Sequence, residues 1–163
     1  MSYELQALIG PLELLTVAAA EVPVARVAPL AQGLALIPAT PAFLSAFRSG
    51  GDEGKSDGGA GFAWHPEGFE LRLAAWSKAG PIACVEADFF GGTGTQRAAV
   101  WSDGRLELGP LTSAFEPFAP DGSPISRALR QLGARAEGER TDEFDAVGLG
   151  AHRSTDGWAV TAG

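Results

Sequence analysis

Glu86 and Asp88 stand two residues apart in the run Ile82–Phe90 (IACVEADFF). In an extended strand alternate side chains share a face. Ile82, Cys84, Glu86, Asp88 and Phe90 are therefore expected on one face, with Ala83, Val85, Ala87 and Phe89 turned the other way into the core. Two carboxylates one pleat apart can chelate a hard cation or divide into an acid and a base. The same pair also reads as the solvated face of a half-exposed sheet, neutralised by Arg97 on the next strand. A third use is contact with a basic protein, with Phe90 or Trp101 as an aromatic anchor.

Other groups carry less. Gly91–Gln96 (GGTGTQ) is glycine-rich, but it leads into a second strand and not into a helix N-terminus, and no Gly-Lys-Ser/Thr ending follows. It reads as a wide hairpin turn, whose N–H groups could serve an anion or a partner backbone only secondarily. Cys84 could act as a nucleophile with His65 or His152 as base, yet a lone cysteine in an apolar strand is ordinarily a small buried hydrophobe. The two histidines are far apart, and neither an HExxH nor an HxxE pattern occurs, so no metal and no cofactor is expected. The segment FDAVGLGAHRSTDGW places Asp145, His152 and Arg153 between apolar anchors, either lining a pocket or crossing the surface. The alternative is a small enzyme or ligand-binding domain with a site around Glu86, Asp88, Arg97 and His152.

These residues need elements to hold them. Ser2–Ile9 alternates as a strand, and Gly10-Pro11 stops it. Leu12, Leu15, Ala19 and Val22 predict a helix over Pro11–Ala20. Val24–Leu30 and Gly33–Pro38 read as a hairpin, with Pro29 confining the first strand to a sheet edge. Thr40-Pro41 caps a short helix. Ser49–Gly61 (SGGDEGKSDGGAG) predicts a flexible loop. Phe69, Leu73 and Trp76 predict a helix over Pro66–Ala79, and three strands follow, the last two joined by Asp103-Gly104. Pro110–Gly122 reads as loop. Ser123-Pro124 opens a helix with Ile125, Ala128, Leu129 and Leu132 buried and Gly133 closing it, and Trp158 packs the tail back on the body. The expected fold is one α+β domain over residues 1–163, a mainly antiparallel sheet with about four helices.

A net charge of −8 argues against a nucleic-acid backbone and against anionic membrane surfaces as partners. It favours a basic protein partner through steering. One cysteine excludes an internal disulfide and suits a reducing cytoplasm. No basic leader with an apolar run opens the chain, and no apolar stretch approaches the ~20 residues that span a bilayer. Arginine-rich, lysine-poor composition points to a bacterial source. Oligomeric state does not follow from these residues.

The runs VEADFFGGTGTQRAAVW (Val85–Trp101), PISRALRQLG (Pro124–Gly133) and DEFDAVGLGAHRSTDGW (Asp142–Trp158) resemble a group of small bacterial proteins. That group has no established activity, so the resemblance implies no catalytic residues. In composition the chain also looks like the immunity proteins of bacterial toxin systems. The functional expectation is a protein-binding module, an immunity-type inhibitor of a basic toxin, working through Glu86, Asp88, Phe90, Arg97 and Trp101.

Overall fold

The computed structural model of the chain describes residues 2–22, 24–45, 69–90, 93–114, 124–135, 143–149, 154–155 and 157–158. Six strands appear: β1 (Ser2–Pro11), β2 (Ala28–Pro29), β3 (Leu34–Pro38), β4 (Ile82–Phe90), β5 (Thr93–Ser102) and β6 (Arg105–Ala114). Between and after them come α1 (Leu12–Ala20), α2 (Pro41–Ser45), α3 (Phe69–Trp76), α4 (Pro124–Gln131) and α5 (Glu143–Val147). The strands form one sheet in the order β2-β3-β1-β4-β5-β6, and every neighbouring pair is antiparallel. This is the α+β architecture expected. Among the described residues no helix is long and apolar enough to cross a membrane.

Alternation along the central strands buries both sheet faces. Leu5, Ala7, Ile9, Ala83, Val85, Ala87, Ala98 and Val100 point to one side, where Ile125, Ala128 and Leu129 of α4 cover them with Val147, Leu149 and Trp158. Leu8, Ile82, Cys84, Ala99 and Trp101 point to the other, under Leu15 of α1, Phe43 of α2 and Phe69, Leu73 and Trp76 of α3. Each fully buried Leu, Ile or Phe contributes about 1.5–3 kcal/mol. The half-exposed sheet is thus corrected: Ile82 and Cys84 lie under helices because both alternating sets are apolar over this half of β4.

Several local expectations hold. The Thr40 hydroxyl accepts the Phe43 N–H at 3.1 Å, capping α2. Asp103 and Gly104 take φ of 53° and 83°, the paired left-handed turn that matches strand twist. Gly133 closes α4 at φ 100°, and the Ala134 N–H returns to the Leu129 carbonyl. Other expectations change. On α1 the buried residues are Leu15 and Ala18, while Leu12 is exposed, because the strand runs through Pro11 and starts the helix later. The first hairpin strand shortens to β2, which does sit at the sheet edge. Residues 110–114 are strand and not loop: a bulge absorbs the Gly109-Pro110 peptide, which is cis, and pairing with β5 resumes at Leu111. Gly109 has φ +88°, and a Cβ there would lie 2.7 Å from the Ala98 carbonyl oxygen. The Ser49–Gly61 loop and the helical start at Pro66 lie outside the described residues.

Candidate functional site

Glu86 and Asp88 sit where the second face stops being apolar. Strand register aligns Gln6, Glu86, Arg97 and Thr112 across β1, β4, β5 and β6. The next row aligns Glu4, Asp88 and Thr95. Directly opposed residues share a face, so this end of the sheet offers two polar rows continuous with the apolar rows through Leu8, Cys84 and Ala99. Helices α1, α2 and α3 cover the apolar rows. Glu4, Asp88, Thr95 and Thr112 are exposed.

The Arg97 guanidinium Nε lies 3.2 Å from Glu86 Oε1, with the two side chains 31% and 29% exposed. This is the pairing expected across β4 and β5. It commits Glu86; Asp88 and Glu4 are the exposed acidic residues of the neighbouring row. Glu4 is tied on its other side. The Thr155 hydroxyl donates to Glu4 Oε1 at 3.0 Å, and the Thr155 N–H reaches Glu4 Oε2 at 3.5 Å. The Gln6 N–H donates to Thr155 Oγ1 at 3.0 Å. The C-terminal turn therefore closes the margin of β1 beyond the point where β3 ends. Tyr3 adds a bond from its hydroxyl to the Leu149 carbonyl at 3.0 Å.

The remaining candidates fall elsewhere. Trp101 is 3% exposed inside the second core cluster, so it is withdrawn as an interface anchor: its side chain follows Ala99 inward under the helices. Cys84 is fully buried, and burial first, then the Glu86 and Glu70 charges, pushes its thiol well above the ordinary 9.0. A protonated thiol without access is no nucleophile. The expected wide turn over Gly91–Gln96 is corrected in its second part, where Thr93–Gln96 pair with Ala87–Phe90 as strand, while Gly91 and Gly92 lie outside the described residues. The Phe90 and Asp145 side chains, and His65, His152 and Arg153 altogether, lie outside the described residues. Among the described residues no three of His, Cys, Asp and Glu gather as a metal site.

In the acidic stretch Glu137–Asp145 the one acid whose side chain is described is Glu143. Glu143 is 5% exposed, and Arg130 Nε lies 3.0 Å from its Oε1. It fastens α5 to α4 and presents no charge outward. Charge is close to balanced over the described side chains: Glu4, Glu13, Glu21, Glu70, Glu86, Asp88, Asp103, Glu107 and Glu143 meet Arg26, Arg72, Lys78, Arg97, Arg105, Arg127, Arg130 and Arg135. The surplus behind the net −8 comes from acids such as Asp52, Glu53, Glu137 and Glu139, outside those residues.

Sequence reasoning missed Glu4, Gln6, Thr95 and Thr112 as members of the site. The alternation in β1 was legible. The β1–β4 register, which places Glu4 beside Asp88, was not. Compared with known protein families, curated proteins and solved structures, the chain matches none.

Proposed function

We propose that the chain is a protein-binding module whose polar sheet end receives a basic protein, in the manner of an immunity-type inhibitor of a basic bacterial toxin. The observation that carries this reading is the pair of adjacent polar rows on one face, with the carboxylates of Glu4 and Asp88 exposed beside the Glu86–Arg97 ion pair. Paired strands fix the backbone that carries these side chains, so their spacing is set before a partner binds. A net charge of −8 would raise the rate of encounter with a cationic partner. Cys84 itself, occluded and with its thiol pushed up by burial, does not contribute to this surface. The likeness to immunity proteins enters as part of this proposal.

The test is capture. The immobilised full chain is exposed to lysate of the organism that encodes it, and retained proteins are identified by mass spectrometry. A stoichiometric basic protein, released at about 1 M salt where the Debye length falls to ~3 Å, is the expected result. A neutral or acidic protein held equally at that salt would overturn the reading.

A further inference from the structure

We infer that the outer edge of β6 pairs with the same edge of a second copy of the chain, about a two-fold axis through Leu106. β6 is the last strand in the sheet order, so among the described residues no strand lies beyond it. Its first residues are open to solvent: Arg105 and Glu107 are exposed, and Leu106 is 40% exposed. The free backbone N–H and C=O groups of such an edge are a template for another strand. The Asp103-Gly104 turn decides which groups are free. It closes on the Ser102–Arg105 pair, whose backbone groups bond each other. Bonding directions alternate along an antiparallel strand, so the N–H and C=O of Leu106, opposite Trp101, point outward.

Charge selects both the register and the occupant. Centred on Leu106, an antiparallel pair of identical strands sets Leu106 against its own copy, and the two leucines exchange their backbone bonds. One step out on either side, Arg105 opposes Glu107 of the second copy, and Glu107 opposes Arg105. Opposite charges directly across a strand pair attract, and like charges repel. Centring on Arg105 or on Glu107 instead sets like charge on like. Neither side chain enters an ion pair among the described residues, so both are available. The far edge of the sheet offers no competing match. It is β2, only Ala28–Pro29, and Pro29 has no N–H to give. Head-to-tail stacking of sheets therefore lacks its second edge, whereas the two-fold pair closes on itself. Pro110 also lacks a donor, so the contact is confined to Arg105–Leu108. A contact this short belongs to the small, transient class of interface.

The test is sedimentation equilibrium of the full chain and of two charge reversals, Arg105→Glu and Glu107→Arg, at concentrations up to about 1 mM, where weak association is populated. Both side chains are exposed, so the variants should keep the fold, which near-ultraviolet circular dichroism checks. The natural chain should show a monomer–dimer equilibrium. Each reversal alone sets like charges face to face on both sides of the axis and should weaken dimerisation about tenfold or more. An equal mixture of the two variants should associate again, since one then carries acids at both positions and the other carries bases. That recovery also separates a lost contact from a damaged fold. A natural chain that stays monomeric at about 1 mM would overturn the inference. So would a dimer that both reversals leave intact, because association would then run through another surface. Folded variants that fail to associate when mixed would overturn the register, and the inference with it.

Discussion

Single residues set sharp local demands. Gly109 combines φ +88° with a Cβ position 2.7 Å from one backbone oxygen and 2.8 Å from the Leu111 nitrogen. Gly133 has φ +100° and open space around its Cβ. Gly133→Ala should therefore cost only the left-handed penalty of about 1–2 kcal/mol. Gly109→Ala adds backbone overlap and should cost roughly 3 kcal/mol or more. Equal urea midpoints for the two variants would contradict the bulge geometry. The chain's single tyrosine offers a pH test. Burial first, and the Glu4 carboxylate second, hold the Tyr3 phenol well above its ordinary 10.0. The folded state then keeps a proton that the unfolded chain gives up near that value, so this contribution to stability is complete below it and is lost as pH rises further. Cys84 acts in the same direction from its ordinary 9.0. Stability should fall as pH climbs past these values, and the phenolate absorbance of Tyr3 should appear together with unfolding. A phenolate forming near pH 10 (the ordinary tyrosine value) in an intact fold would refute this.

Elements show where local and long-range information part. The Thr40-Pro41 cap, the Asp103-Gly104 turn and the Gly133 stop were legible, because each is decided by a few consecutive residues. The α3 stripe of Phe69, Leu73 and Trp76 was legible by period. The strand character of residues 111–114 was not, since Gly109-Pro110 reads locally as a terminator and only pairing with β5 continues the strand. Nor was the helix cover over Cys84, because a face bearing Glu86 and Asp88 looks solvated until the helices are placed. The cap of α4 is the clearest long-range case. Gln96, on β5, accepts the Ile125 N–H through Oε1 at 3.0 Å and is 5% exposed. Gln96→Ala would leave that buried N–H without its acceptor and should cost about 1–3 kcal/mol, read as a lowered urea midpoint. A change within a few tenths would mean the bond contributes little. The candidate site divides in the same way: the Glu86–Arg97 pairing followed from strand order, while Glu4 and Thr155 required tertiary structure.

At the scale of the whole molecule, the sheet is committed on both faces by two core clusters, and its polar end is the surface proposed to receive a partner. Because Arg97 answers Glu86, reversing Glu86 would disturb a strand pair as well as a surface. Asp88 and Thr95 are opposed and exposed, so Asp88→Lys with Thr95→Lys changes the surface charge and little else. Half-exposed ion pairs contribute only about 0–1 kcal/mol to stability, and no core residue is touched, so the double variant should fold with a urea midpoint close to that of the natural chain. The most direct measurement is a side-by-side capture from the host lysate with the natural chain and this folded double variant, each at low and at high salt. The account predicts a basic protein retained at low salt by the natural chain and lost by the variant. The same protein retained equally by both would contradict it and move the binding surface away from Glu4 and Asp88.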